Sequence, residues 1–391
     1  MSALKPSSTG RKRLCFVVEA TEGGVRKHVR DLLRVFLRPE EGFEIFGIFG
    51  DRGEVGFREE LTALAAGHSN FSYEFVPGFQ RAIRPWTDLN ALSQVKRLMA
   101  AFKPDIVHSH SAKAGFIGRT AARTLGVRTI LHTPHVFPFQ WTSGVRGRLF
   151  LALERHAAGG AGTIICVSES QRDDALQRGL CDASKLIVIR NAIEAQAMIP
   201  DARTLARTKL DLPQDARVVG MVARLAPQKG VGVFARAAAE ALRARPDAIF
   251  ALVGGGPLED ELRERLSALN VPPEHFRILG HRSDAEALYP AFDMLVLSSL
   301  YEGLPYVLLE AMARGVPVVA TDVLGSRDVV ADGVTGLLAR VNDPADIAAK
   351  IVSLLDDPEK LKRFGEASKR RVADAFSFDE FVRKHRDVYL Q

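Results

Sequence analysis

The feature that most restricts how this chain folds is an alternation that runs twice. Apolar runs of strand length alternate with helix-patterned segments from Leu14 to about residue 190, and the series restarts at Arg217. Leu14–Val18, Phe43–Phe49, Ser72–Val76, Asp105–Ser109, Arg128–His132, Thr163–Ser168 and Leu186–Arg190 read as strands of the first series. Arg217–Ala223, Ala248–Val253, Phe276–Leu279, Asp293–Ser298 and Val316–Ala320 read as strands of the second. Their centres are continuously apolar, the mark of parallel strands buried on both faces. Alternating β and α elements of this kind predict an α/β fold built from doubly wound parallel sheets. A chain of 391 residues is too long for one core and suits two. The expected domains are 1–195 and 196–372, joined through polar sequence near 192–215. Residues 373–391 carry apolar Phe376, Phe378, Phe381, Val382 and Val388-Tyr389-Leu390, and are expected to form a last helix packing back on the first domain.

Charge narrows the partners. The net charge is +6, but by position residues 1–195 hold about 27 Lys and Arg against about 19 Asp and Glu, and the remainder is slightly acidic. A basic first half suits a phosphorylated partner or an anionic membrane surface. Nucleic acid is not expected, because only 7% of residues are aromatic and no basic motif is interleaved with them. No apolar run reaches the roughly 18 residues of a transmembrane helix. The opening MSALKPSSTGRKR lacks the apolar core of a secretory signal. Three widely spaced cysteines form no CxxC and no disulfide framework, which points to a reducing compartment. The expected location is therefore the cytoplasm, with peripheral contact at the inner membrane face.

The chemistry concentrates in a few short stretches. YEGLPYVLLEAMARGVPVVA, residues 301–320, places Glu302 before a Gly-Leu-Pro turn and Glu310 on a short helix ended by Gly315. Eight steps of helix rise about 12 Å, so two such carboxylates suit the two ends of an elongated ligand such as a nucleotide-sugar. Arg224-Leu-Ala-Pro-Gln-Lys229-Gly230 follows directly on a strand, where a guanidinium fork and an ammonium point charge can converge on a diphosphate. Gly23-Gly24 precedes the first helix and lets backbone approach a phosphate or sugar. Gly254-Gly255-Gly256-Pro257 lacks GxGxxG spacing and reads as a strand-to-helix turn, which disfavours an NAD oxidoreductase. His108, His110, His132 and His135 cluster at strand ends with Lys113 close by. No acidic or cysteine ligand accompanies them and no DxD motif occurs, so no metal is expected; a histidine that orients an acceptor hydroxyl or contacts phosphate fits better.

These residues resemble glycosyltransferase family 4, the retaining GT-B transferases. The resemblance is strongest over about 217–340 and extends loosely over nearly the whole chain. The family's Gly-x-x-x-Arg-Leu-x-x-x-Lys-Gly stands as Gly220 to Gly230, with Arg224 and Lys229 in place, and its Glu-x7-Glu as Glu302 to Glu310. Asp332-Gly-Val-Thr-Gly336 fits as well. Arg84-Pro85-x-x-Asp88, HSHSAKAGFIGR at 108–119 and TPH at 133–135 resemble members that assemble polysaccharide and exopolysaccharide. Ile189-Arg190-Asn191-Ala192-Ile193-Glu194 departs from the usual Pro-Asn-Gly-Val-Asp, and Leu324-Gly325-Ser326 from a usual Gly-Gly run.

The resemblance implies a GT-B fold, two Rossmann-like domains facing across a cleft. It implies that Glu310 holds the donor ribose, and that Glu302, with the backbone of Gly303, Leu304 and Pro305, holds the donor sugar. Arg224 and Lys229 would neutralise the diphosphate, Gly23 and Gly24 would approach it, and Arg282 would lie beside the nucleobase. His110 resembles the active-site histidine, which makes His110, Arg224, Lys229 and Glu302 the expected catalytic set. Lys113, His135 and Asn191 are candidates for the acceptor side. The implied activity is metal-independent, retaining sugar transfer from a nucleotide-diphosphate-sugar to a glycan or lipid-linked acceptor, with no cofactor. A GT-B nucleotide-sugar epimerase and a non-catalytic nucleotide-sugar-binding protein are the alternatives.

Overall fold

A computed structural model describes residues 10–51, 56–80, 82–159, 162–194 and 200–391. The opening nine residues and part of the expected 192–215 join lie outside the described residues. The chain divides into two compact units: residues 1–189 with 382–391, and residues 190–381.

The first unit runs β1 (Lys12–Val18), α1 (Gly23–Phe36), β2 (Phe43–Gly50), α2 (Phe57–Gly67), β3 (Phe71–Val76), α3 (Pro85–Phe102) and β4 (Ile106–His110). It continues with α4 (Ala112–Thr124), β5 (Thr129–Thr133), α5 (Gly144–Ala158), β6 (Thr163–Cys166), α6 (Glu169–Gln177) and β7 (Leu186–Val188). The seven strands form one sheet in the order β3-β2-β1-β4-β5-β6-β7, parallel in every pair. Cys15 and Cys166 are buried within it, and burial pushes the Cys15 thiol well above its ordinary range.

The second unit runs α7 (Ala202–Lys209), β8 (Arg217–Val222), α8 (Val231–Ala244), β9 (Ala248–Val253), α9 (Glu259–Ala268), β10 (Phe276–Ile278), β11 (Met294–Leu297) and α10 (Tyr306–Ala313). β12 (Val318–Thr321), α11 (Leu324–Val329), β13 (Gly336–Ala339), α12 (Pro344–Leu355), α13 (Pro358–Ala375) and α14 (Phe378–Leu390) complete the chain. The sheet order is β10-β9-β8-β11-β12-β13, again parallel. β9 is buried at all six positions, as a strand covered by helices on both faces must be. α8 turns Val231, Phe234, Ala235, Ala238 and Ala241 inward, a helical stripe that packs with Ile347 and Ile351 of α12 in the unit's core. The expected doubly wound α/β architecture is present in both units.

Three sequence expectations are corrected. β13 was not expected, because GLLA is four residues long and half-buried at its centre, too short a pattern to stand out. The divide falls between Ile189 and Arg190 rather than after 195. Asn191 donates to the Leu304 carbonyl at 2.8 Å and Ile193 bridges to Ser377, so this segment is tied to the second unit. The returning segment likewise begins at Val382, not at 373, because 373–375 finish α13. Within the first unit Tyr389 stacks edge-on against Phe36 and Phe43, and Arg386 grips Glu41 through both guanidinium nitrogens, 2.5 and 2.9 Å.

Candidate functional site

In the second unit the strand order reverses between β8 and β11: β9 lies on one side of the pair and β12 on the other. Open α/β sheets bind ligands at the carboxyl ends of strands at such a switch point. The loop after β8 carries Arg224 and Lys229, and the loop after β11 carries residues 298–305. The two loops are laced together. Leu300 N–H donates to the Gln228 carbonyl at 2.8 Å, and the Gln228 amide donates to the Tyr301 carbonyl at 3.0 Å. Lys229 Nζ lies 2.5 Å from Glu302 Oε1, and the Ser299 hydroxyl donates to the same oxygen at 2.7 Å. Glu302 is nearly buried, whereas the Lys229 side chain keeps 22% of its surface exposed. One N–H of the ammonium meets Glu302; its other two are available to an anion. The Arg224 side chain is exposed on the same loop.

Glycines set the height of this platform. A Cβ on Gly230, at φ +61°, would sit 2.1 Å from the Ser298 carbonyl oxygen, and one on Gly254 1.9 Å from that of Ala223. The Gly254–Gly256 run therefore exists so that the Arg224 loop can lie against it, with Leu225 N–H donating to the Gly255 carbonyl at 3.0 Å. Gly220 is overlaid by the Phe292 ring, which leaves no room for a side chain. A Cβ on Gly325 would meet Gly303 O at 2.2 Å and Leu304 N at 2.7 Å. Gly325→Ala is accordingly expected to displace the Gly303-Leu304 peptide, destabilise the protein by about 1–3 kcal/mol and lower turnover by about a hundredfold. Kinetics and melting temperature equal to wild type would show that this peptide is not pinned there.

Glu310 sits on α10, and Tyr289 donates its hydroxyl to Glu310 Oε2 at 2.6 Å. Tyr289 is buried, and burial followed by the neighbouring carboxylate holds its phenol well above the ordinary range, so it stays a donor. This positioning residue was missed in the sequence; the signal was a tyrosine in an otherwise apolar turn just before β11. The helical spacing of the two glutamates is corrected as well. α10 begins only at Tyr306, so Glu302 through Pro305 precede it and a continuous helical rise does not measure their separation. Arg282 pairs with Asp284 through both Nε and Nη2, 2.9 and 3.1 Å.

The first unit repeats the design. β1 and β4 are neighbours at its switch point, with Val18 opposite His110 at the strand ends. Gly23, at φ +55°, and Gly24 open α1 and are exposed. His110 is fully buried, with Nδ1 3.3 Å from His135 Nε2, and its Nε2 has no hydrogen-bond partner. Sequence reading grouped His110 with His108, His132 and His135, but the structure assembles a different set. His28 of α1 and His385 of α14 stack with His108, His110 and His135, ring centroids 4.0–6.1 Å apart. Both newcomers lie on buried helix faces, where a polar residue among apolar ones was the readable signal. His132 turns away to Ser109, under Gly115, whose hydrogen leaves room for the ring. Burial first, then neighbouring cationic forms, hold His108, His110, His132 and His135 well below the usual imidazole range, so all four are neutral. Among the described residues no group of three or more His, Cys, Asp or Glu is arranged to hold a metal.

Ser111 and His135 flank His110 at positive φ, 71° and 58°, conformations that non-glycine residues adopt only when held. Buried Glu19, just after β1, holds Ser111: it accepts from the Ser111 hydroxyl and from Ala114 N–H at the start of α4, while the His135 carbonyl accepts from the Gln171 amide at 3.0 Å. Two acceptor-side candidates have partners within the protein. Lys113 bonds to Asp88 at 2.6 Å and to the Ala82 carbonyl, so its ammonium ties α4 to the start of α3. The Asn191 side chain is buried against Leu304, because the turn it sits in belongs to the second unit.

Comparison with known proteins agrees with this geometry. A family model described as Glycosyl transferase 4-like domain matches residues 23–192, and one described as Glycosyl transferases group 1 matches residues 202–371. The UDP-Gal:alpha-D-GlcNAc-diphosphoundecaprenol alpha-1,3-galactosyltransferase of Escherichia coli is 31% identical over 321 residues, 81% of this chain and 83% of that protein. The alpha-maltose-1-phosphate synthase of Mycolicibacterium smegmatis is 32% identical over 308 residues, 73% of this chain and 78% of that one. The crystal structure of Anabaena Alr3699/HepE in complex with UDP and glucose matches with a TM-score of 0.81 at 21% identity, covering 97% of this chain and 100% of that one. Two doubly wound sheets, charged loops at the second unit's switch point, and relatives spanning both units lead to one conclusion: this chain belongs to the GT4-type glycosyltransferases of GT-B fold.

Proposed function

We propose that this chain moves a sugar from a nucleoside-diphosphate-sugar to a hydroxyl of a lipid-linked glycan intermediate, with retention at the anomeric carbon and without a metal. The observation that carries the reading is the convergence of Lys229, Glu302 and Ser299 beside Arg224 at the β8–β11 switch point. Breaking the bond between the anomeric carbon and the diphosphate oxygen sends the electron pair to phosphate and leaves oxocarbenium character on the sugar. Fixed cations aimed at that phosphate lower the barrier, a role that needs no ion to be recruited. The acceptor oxygen attacks from the face the phosphate leaves, and its proton passes to the departing phosphate. Glu302, Gly303 and Leu304 hold the sugar, Glu310 the ribose with Tyr289 fixing its carboxylate, and Arg282 lies towards the base. His110, neutral, is assigned to the sugar and acceptor end, and Gly23-Gly24 to the approach of phosphate.

The lipid-linked acceptor is supported by the E. coli relative, whose name gives UDP-Gal as donor and a diphosphoundecaprenol-linked GlcNAc as acceptor. No helix among the described residues is long and apolar enough to cross a membrane. The proposed setting is the cytoplasmic side of a membrane, with peripheral contact. The test is to incubate the protein with nucleotide-sugars and lipid-linked acceptors in a chelator and determine the anomeric configuration of the product. Glycoside of retained configuration is expected. Consumption of nucleotide-sugar without glycoside would favour an epimerase, binding without turnover a non-catalytic protein, and a strict divalent requirement would overturn the metal-independent scheme.

A further inference from the structure

We propose that the outer face of α3, α4 and α5 in the first unit docks on an anionic lipid bilayer. The inference rests on the lipid-linked acceptor proposed above and names the surface that would reach it. α4 is joined to α3 by Lys113–Asp88 and to α5 by the buried ion pair Arg119–Glu154, 2.7 Å, so the three helices form one layer. That layer shows apolar side chains to solvent. Trp86 is 85% exposed at the start of α3, with Ile83 and Leu89 beside it in sequence. Val145 (75% exposed), Leu149 and Leu153 make an i, i+4, i+8 stripe on α5, whose opposite face buries Gly147, Glu154 and Ala157. A helix layer that packs through one face and shows contiguous apolar side chains on the other is a candidate interaction surface.

Charge identifies what covers it. Arg84, Lys96 and Arg97 on the α3 segment and Arg146 and Arg148 on α5 are all exposed, while the only acid in residues 82–97 is Asp88, engaged by Lys113, and residues 143–153 contain none. An apolar stripe studded with arginines and headed by tryptophan matches the interface of an anionic bilayer. A second copy of the same face would instead bring like charges together. All three helices cross over between parallel strands, so their first turns lie at the strand-carboxyl edge that also carries His110. A lipid-linked acceptor held at that surface would thus be presented to the correct edge of the sheet.

The experiment is vesicle co-sedimentation of the full-length protein, with phosphatidylglycerol-containing and pure phosphatidylcholine vesicles, at low and high salt. Wild type is expected to bind the anionic vesicles, less so at high salt. Arg146→Ala with Arg148→Ala should weaken binding about thirtyfold, near a factor of five per arginine, and Trp86→Ser with Leu89→Ser should abolish it. Leu205→Ser, exposed in the second unit, should change nothing. Unchanged binding in both double variants, equal binding to neutral vesicles, or a wild-type dimer that these variants dissolve would each overturn the proposal. Sugar transfer to a water-soluble acceptor separates this from the functional reading: variants that keep it but lose vesicles support the surface, while vesicle binding by a wild type that transfers no sugar would leave the surface standing and the activity refuted.

Discussion

Lys229→Ala is expected to lower turnover of the nucleotide-sugar by a hundredfold to a thousandfold, the usual loss when one fixed donor to developing negative charge is removed. Lys229 is held by a left-handed Gly230 against Ser298, and its loop is cross-bonded to 300–301 through Gln228. Its ammonium therefore needs no reorganisation to meet a phosphate as charge builds. The substitution also deprives the nearly buried Glu302 of its cationic partner, leaving the Ser299 hydroxyl on that oxygen, so the carboxylate proposed to hold the sugar is disturbed at the same time. Arg224→Ala separates the two effects, because Arg224 is exposed and its loop is fixed through the main chain of its neighbours, Ala223 against Gly254 and Leu225 against Gly256. It should lower turnover comparably while leaving the melting temperature close to wild type. Rates near wild type in both variants would remove the diphosphate role.

Acidification should destabilise the protein steeply. His108, His110, His132 and His135 are all held below their unfolded value of about 6.5, so the unfolded chain binds protons first. Stability is then fully present above about pH 6.5 and is lost as pH falls from there towards the folded-state values. All four groups act in the same direction, so the loss deepens as pH falls below about 6.5. Among the groups facing this array are Tyr389, whose hydroxyl meets His108 at 2.8 Å, Thr133, Ser109, and the cationic Arg119 with His28 and His385, which disfavour the charged forms. The urea midpoint measured across this range should fall, and His108→Gln should reduce its slope by one proton. A flat midpoint would mean that the histidines are charged in the fold or that water reaches them.

The same particulars explain what could be read from the chain. The two parallel sheets were legible because strands buried on both faces are continuous apolar runs, as in β1 and β9, and no helix imitates them at that length. Arg224, Lys229, Glu302 and Glu310 were legible because they follow strands at fixed offsets, and a strand end is a position in space. Contacts between distant segments were not. His28 and His385 join His110 only because α1 and α14 meet β4, and Tyr289 reaches Glu310 across a turn and a strand. The role of the Gly254–Gly256 run was visible only once it lay against the Arg224 loop. Lys113 read as an open cation because nothing in its neighbourhood announced Asp88, twenty-five residues earlier. β13 failed for the opposite reason: four residues carry too little pattern to separate from a turn.

The central claim is that permanent positive charge on the β8 loop holds the diphosphate of the donor. Calorimetric titration of nucleoside diphosphates (UDP, GDP and ADP) into wild type and into the Arg224→Ala, Lys229→Ala double variant, all in chelator, tests it directly. The account predicts binding by wild type without divalent ions and at least a tenfold loss in the variant, about 1.4 kcal/mol or more. Equal affinity in the two proteins, with both folded, would contradict it.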